Sequence, residues 1–246
     1  MNQEKDCGEV LKDALYKVIF SRRDIRSQFL PEPVPEEMIA RILYAAHHAP
    51  SVGYSQPWDF VVIRDRAVKE KVHQAFSKAN EHSALLFPEG KREIYSSLKL
   101  EGIKESPLNI CITYDKERFG PVVIGRTTIP LMGIFSCVCA VQNLWLAARA
   151  EGLGVGWVSI FFEDELKEIL SLPEHIVPVA YLCIGYVSHF PEKPELETAK
   201  WAPRLPLDSL IHCDSWGNTC ADSWGSLMDT IKKHELYPEK GENSEE

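Results

Sequence analysis

Three arginines surround one carboxylate in the segment Phe20-Ser21-Arg22-Arg23-Asp24-Ile25-Arg26, directly after a run of residues with helical spacing. Guanidinium groups offer a planar fork of donors that matches phosphate oxygens, and they stay charged at any working pH. This composition suits a phosphorylated ligand, and Asp24 is the lone acid among the arginines. A solvated salt-bridge cluster at a helix end, with Asp24 as a structural partner of Arg23 or Arg26, is the competing reading.

A second motif, Ala49-Pro50-Ser51-Val52-Gly53-Tyr54-Ser55-Gln56-Pro57-Trp58, follows a helix and leads into an apolar strand. Two further stretches are Ser97-Leu98-Lys99-Leu100-Glu101-Gly102-Ile103 and Gly152-Leu153-Gly154-Val155-Gly156-Trp157-Val158-Ser159-Ile160-Phe161. Together the four motifs resemble the nitroreductase-like flavoprotein family and, within it, the branch of 5,6-dimethylbenzimidazole synthases. The resemblance runs from about Leu15 to Trp216, with strong matches also in the helix from Cys137 to Gly152. The chain departs from the common nitroreductase pattern at Tyr54, preceded by Gly53, where an Asn usually stands before Gln-Pro-Trp.

The resemblance implies an α+β fold: a central, mainly antiparallel sheet flanked by helices, with an extended C-terminal arm that wraps a partner subunit. It implies that Arg22, Arg23, Asp24, Ile25 and Arg26 meet the ribityl and phosphate side of FMN, and that Pro50, Ser51 and Gln56 hold the isoalloxazine edge. Leu98, Lys99, Gly156 and Ser159 join the flavin site, and Arg204 closes over the phosphate from the arm. Arg204 as a surface charge before Leu205, Ser51 as a turn residue and Ser159 as a satisfied strand hydroxyl remain open. Asp24 is then the acid/base near the ribityl group, and Ser159 the polar group that organises the flavin and its oxygen adduct. The implied reaction is dioxygen-dependent fragmentation of reduced FMN to 5,6-dimethylbenzimidazole, the lower ligand of vitamin B12, and erythrose 4-phosphate. The implied assembly is a homodimer with flavin at the interface, fed reduced FMN by a separate flavin reductase.

Two other functions fit the same motifs: an NAD(P)H-dependent FMN nitroreductase or flavin reductase, and a flavin-binding protein without turnover. A dinucleotide fingerprint is not the explanation of Gly152, Gly154 and Gly156, because such a fingerprint follows a strand and opens a helix, whereas this run follows a helix and precedes a strand. The expectation is that these glycines let the backbone approach the flavin ring and deliver Ser159 beside it.

The 246 residues carry a net charge of -9, which disfavours generic nucleic-acid binding and makes the local arginine cluster stand out. Hydrophobic residues make up 45% of the chain, as in a folded globule. Seven cysteines without an even spacing pattern, and no signal peptide, point to a reducing cytoplasm. Cys137 and Cys139 suit neither a zinc knuckle nor a redox pair and read as buried small residues. His47 and His48 are adjacent on a helix and point apart, so no metal site is expected. The apolar run Leu131–Ala150 has Ser136, Gln142, Asn143 and Arg149 within it, which suits a helix enclosed by protein better than one in lipid. Its stretch from Cys139 to Leu146 is a candidate subunit contact.

The elements that must position these residues follow from periodicity. Leu11, Leu15, Val18 and Ile19 predict a first helix that buries one stripe and delivers the arginine turn. Pro31, Pro33 and Pro35 force an extended connection to a second helix opened by Glu36 and Glu37, with Ile39, Ile42, Leu43 and Ala46 on one face. Phe60–Ile63, Asn109–Tyr114, Val155–Ile160 and Val179–Val187 read as strands, and Val68–Asn80, Leu131–Glu151 and Asp164–Leu170 as helices. Pro191, Pro194, Pro203 and Pro206 make Ser188–Leu207 an extended arm. Residues 1–216 form one domain on this reading and 217–246 a flexible tail, with a short echo of Asp214-Ser215-Trp216-Gly217 in Asp222-Ser223-Trp224-Gly225.

Overall fold

Strand-forming runs rich in β-branched and aromatic residues assemble, in the computed structural model, into one four-stranded sheet. The structure describes residues 2–218 and 224–235. The strands are β1 (Trp58–Ile63), β2 (Leu108–Asp115), β3 (Gly154–Val158) and β4 (Ile176–Gly185), in the order β1-β2-β4-β3, and every pairing is antiparallel. Pro178 is tolerated inside β4 because it sits at a register shift between Ile112 and Thr113 of β2.

Both faces of the sheet are covered, which explains why β2 is buried continuously from Leu108 to Tyr114, its polar Asn109 and Thr113 included, rather than alternating. Leu108, Ile110 and Ile112 pack with Leu182 and Ile184 against two helices, α2 (Glu36–His47) and α5 (Met132–Ala150). On the opposite face Cys111, Tyr181 and Cys183 meet Ile25, Phe29 and Ile103, with Val72 and Phe76 of α3 (Arg66–Leu85) and Leu166 of α6 (Glu163–Ile169). A helix that the periodicity did not mark, α4 (Glu89–Ser97), leads from α3 into the Ser97–Ile103 motif. The expected α+β architecture is therefore present, and α2 buries Ile39, Ile42 and Ala46 as its spacing requires.

Two expectations need correction. The first helix, α1 (Asn2–Ser21), does not bury its stripe within one chain: Leu11 and Leu15 are 66% and 54% exposed, and Val10, Tyr16 and Phe20 are exposed with them. Among the described residues α1 packs against α5, and its last residue, Ser21, accepts at its carbonyl from Arg149 Nε at 3.4 Å. Cys139, read as buried, is exposed on the same side of α5 as Phe135 and Val138; Cys137 is buried as expected. Among the described residues α5 is the one helix long and apolar enough to cross a membrane, and its other face lies on the sheet.

The chain divides into two compact units, Met1–Pro191 and Glu192–Glu246. The arm read as extended starts inside the first unit, where Phe29 pairs with Val187 and the Ser188 amide donates to the Gln28 carbonyl. In the second unit a short helix, α7 (Glu195–Thr198), and a 3-10 turn (Leu207–Leu210) interrupt the extended course. A further helix, α8 (Gly225–Glu235), was not expected, and its Lys232 approaches Asp208 at 3.7 Å. Cys213 is disulfide-bonded, a bond the reading of a wholly reduced chain did not include. Residues 219–223, with Asp222 and Ser223 of the second Asp-Ser-Trp-Gly echo, and the tail beyond 235 lie outside the described residues.

Candidate flavin site

Where α1 stops at Ser21, the chain turns and runs flat along β3. Ile25 donates its amide to the Val155 carbonyl at 3.0 Å, and Asp24 forms a parallel bridge with Val155. The Asp24 carboxylate is then fixed at both oxygens: Oδ1 accepts from the Trp157 amide at 2.9 Å, and Oδ2 accepts from Arg26 Nη2 at 2.9 Å. The side chain of Asp24 keeps 33% of its exposure while that of Arg26 keeps 11%. Of the two open accounts of Asp24, pairing with Arg26 is realised and pairing with Arg23 is not among the contacts described.

This close approach explains the glycine run. A Cβ on Gly156 would stand 2.0 Å from the Ile25 carbonyl oxygen, and one on Gly154 would meet Val187 Cγ1 at 2.4 Å and Ile25 Cγ1 at 2.9 Å. Within the chain, the room left by Gly154 is taken by Val187 and Ile25 and that left by Gly156 by the Ile25 backbone. Gly152, with φ +79°, ends α5 in the left-handed state.

The three arginines have different surroundings. Arg22 is half-buried with its guanidinium 4.9 Å from the centre of the Trp145 ring. Arg23 is buried and turns back on the end of α1, donating Nη1 to the carbonyls of Phe20 at 2.6 Å and Arg22 at 2.8 Å. Arg26 donates Nη1 to the Lys99 carbonyl at 3.0 Å, which joins the Ser97–Ile103 motif to the turn. Ile25 itself is a core residue with no exposed side chain.

Lys99 projects outward and is ion-paired to Glu101 and Glu105. Burial works against its charge, but hydrogen bonds and charge from the two acids outweigh it and raise the Lys99 pKa above the ordinary lysine value. For Glu105 burial acts upward, and Lys99 more than cancels it, holding the carboxyl below its ordinary range. Leu98 is half-buried in extended backbone at the end of α4. Ser159 lies past the end of β3, exposed, and among the described residues its hydroxyl has no hydrogen-bond partner, so it is not a satisfied strand hydroxyl. Arg204 is exposed in the second unit.

The Pro50–Trp58 loop is built at the other end of α5. Val52 donates its amide to Ser136 Oγ at 3.0 Å, whereas the arginine turn meets α5 at Trp145 and Arg149. Along the helix axis Ser136 lies roughly 14 Å from Trp145 and roughly 20 Å from Arg149. Ser51 does serve the turn, as Oγ accepts from the Gln56 amide at 3.0 Å, and Gln56 Nε2 folds back to the Tyr54 carbonyl at 2.6 Å. Pro50 is exposed and Gln56 half-buried. Trp58 is buried, as expected, with Nε1 donating to His47 Nδ1 at 3.2 Å. No hydrogen bond, ion pair or ring contact among the described residues joins Arg22–Arg26 to Pro50–Gln56 within one chain.

Sequence reasoning missed three contributors: the Trp157 amide, the buried Glu101 carboxylate and Arg118. The first is a backbone group with no side-chain signature. Glu101 was quoted within a motif without a role, and Arg118 stands on a turn after β2 that no motif marks.

Comparison with known proteins places this geometry in context. A family model described as the nitroreductase family matches residues 19–186, from the last turn of α1 past the end of β4. A 5,6-dimethylbenzimidazole synthase of Rhodospirillum rubrum is 40% identical over 195 residues, covering 79% of this chain and 92% of that protein. One from Rhodobacter capsulatus is 34% identical, covering 80% and 95%. Among solved structures, iodotyrosine deiodinase bound to FMN and 3-iodo-L-tyrosine superposes with a TM-score of 0.65 at 20% identity, covering 82% of this chain and all of that one. The resemblance carried by the four motifs thus extends over most of the sequence and over the sheet and helices that hold them, and this chain belongs to the nitroreductase family.

Proposed function

We propose that this protein is a 5,6-dimethylbenzimidazole synthase that consumes reduced FMN and dioxygen and releases 5,6-dimethylbenzimidazole and erythrose 4-phosphate. The observation that carries the reading is the fixed, part-exposed carboxylate of Asp24 within the arginine turn, in a chain with 40% identity to a synthase of that name. An enzyme that only passes hydride through its flavin has no use for an acid beside the ribityl chain.

The residues present fit FMN. Arg22, Arg23 and Arg26 concentrate cationic donors at one turn of a chain whose net charge is -9, and Ser159 adds an unpartnered hydroxyl at the end of the adjoining strand. Bound reduced FMN would supply the electrons that activate dioxygen and the ring that is dismantled. Asp24 accepts one hydrogen bond on each oxygen, and a carboxylate has about four lone-pair sites, so capacity remains for a proton taken from or returned to the ribityl side. Arg26 and the Trp157 amide hold that carboxylate in orientation, and Ser159 orients the reacting edge. Lys99 and Leu98, on the segment that Arg26 grips, border the same pocket.

The opposite edge of the flavin is assigned to Pro50, Ser51 and Gln56. Because that loop and the arginine turn meet α5 at separate ends, the reading includes a homodimer in which one copy's loop completes the other copy's turn. The uncovered Leu11, Leu15 and Phe20 of α1 and Phe135 and Val138 of α5 are the apolar surface such a dimer would bury, at about 25 cal/mol per Å². A separate flavin reductase supplies reduced FMN, and the setting is cytoplasmic.

The deciding experiment is an aerobic reaction of purified protein with chemically reduced FMN, analysed by chromatography. A benzimidazole product supports the proposal. Many turnovers of NADH oxidation with FMN and no partner reductase would instead indicate a nitroreductase or flavin reductase, and flavin binding without product would indicate a carrier.

A further inference from the structure

The Pro50–Trp58 loop is held in an uncommon backbone state: Gly53, Tyr54 and Gln56 all have left-handed φ angles, +54°, +53° and +40°. For tyrosine and glutamine this conformation is sterically costly and persists only where the surroundings over-determine it. The surrounding group is Arg118, on the turn after β2. Its Nη1 donates to the carbonyls of Gln56 at 3.1 Å and Trp58 at 3.0 Å, its Nη2 meets both Asp59 oxygens at 2.7 Å, and its Nε reaches Asp115 at 3.3 Å. All three guanidinium nitrogens are engaged at once. Burial would lower the Arg118 pKa, but the hydrogen bond and charge of Asp59, with those of Asp115, raise it above the ordinary arginine value. The clamp is backed from behind, since Arg126 donates to the carbonyls of Arg118 and Gly120, and a Cβ on Gly53 would stand 2.7 Å from Val123.

We infer that Arg118 is a positioning residue for the flavin edge: it locks Gln56 in the left-handed conformation and so presents Pro50, Ser51 and Gln56 as a preformed surface. The inference rests on the FMN reading above. A lysine cannot substitute, because one ammonium cannot bridge two carbonyls and two carboxylates in a plane.

The test compares full-length wild type with Arg118→Ala and Arg118→Lys. FMN titrations are followed by flavin fluorescence and by the visible absorption band, and hydrogen exchange is followed at residues 52–56 in flavin-free protein. Arg118→Ala should weaken FMN binding about tenfold, the scale of one charge-assisted hydrogen bond. It should speed exchange in the loop while the sheet stays protected, and millimolar guanidinium should restore part of the affinity where Arg118→Lys does not. Wild-type affinity, band shape and loop exchange in Arg118→Ala overturn the inference. If Arg118→Ala fails to fold, Asp59→Asn decides: it keeps the guanidinium but loosens its brace, so a smaller loss of affinity is expected and an unchanged affinity overturns the role. Wild type that binds no FMN would sink the flavin reading itself, whereas wild-type binding with indifferent variants sinks only the role of Arg118.

Discussion

The Asp24 carboxylate and the Trp157 backbone amide stand 2.9 Å apart although 133 positions separate them in sequence. That hydrogen bond, with Arg26 Nη2 donating to the other oxygen, turns a flexible acid into an oriented one. Orientation distinguishes a catalytic carboxylate from a surface charge, because general acid–base help requires hydrogen-bond reach to a defined atom.

Asp24→Asn should keep the flavin and lose the product. The amide oxygen can still accept from Trp157, while the charge that pairs with Arg26 and carries the proton is gone. Product formation is expected to fall by about 10²–10⁴-fold, the usual contribution of a positioned acid or base, with FMN affinity changed little. Binding titration beside the aerobic product assay checks this; parallel loss of both would make Asp24 structural.

Gly156→Ala tests the strand contact that places Asp24. The added Cβ would fall 2.0 Å from a backbone carbonyl, which cannot rotate away as a side-chain tip could. Forced displacement of this kind costs about 1–3 kcal/mol, so the melting temperature should drop and product formation with it. Ser159→Ala, at an exposed hydroxyl without a partner, should leave the melting temperature unchanged and lower turnover alone.

Cysteine accessibility reports the uncovered face of α5. Burial pushes the thiols of Cys111, Cys137 and Cys183 up to about 12, so native protein at pH 8 should resist alkylation at all three. Cys139 is exposed beside Phe135 and Val138 and should be labelled. If a second copy covers that face, labelling slows as protein concentration rises through the dimerisation range, which mass spectrometry of timed reactions measures. Fast labelling independent of concentration would leave the face solvent-facing.

Much of the scaffold was legible in the chain because its signals are local. The periodicity of Ile39, Ile42 and Ala46 fixes the buried face of α2, and the β-branched runs mark all four strands. Legibility failed where a partner distant in sequence decides the outcome. Leu11 and Leu15 have helical spacing whether or not anything covers them, so spacing could not show that they stay exposed in one chain. The purpose of Gly156 depends on Ile25, which no spacing rule connects to it. Arg118 lacks a motif because its work is done on backbone carbonyls, which every sequence has.

The Lys99 pairs separate a buried acid from an exposed one on the same segment. Glu101 is 4% exposed, with Oε1 on Lys99 and Oε2 accepting from the Ile103 amide at 2.7 Å, whereas the side chain of Glu105 is 38% exposed and meets Lys99 at 2.7 Å. Glu105→Gln should cost no more than about 1 kcal/mol, the range of solvent-screened pairs. The depressed Glu105 pKa makes its contribution present above the unfolded carboxylate value of about 4.3, and it fades as pH falls through the lower folded value. Lys99, with its raised pKa, keeps its contribution below about 10.4 and loses it as pH climbs through the higher folded value. The difference between Glu105→Gln and wild type in urea unfolding should therefore be widest near neutrality, vanish in acid and shrink in strong alkali. Glu101→Gln should cost about 1–3 kcal/mol, because it removes the charge from a buried acceptor bound to both a lysine and an amide. It should also weaken FMN binding, since the Lys99 carbonyl that grips Arg26 lies on the segment Glu101 holds. Equal and small effects from both variants would show that this segment is set by its backbone alone.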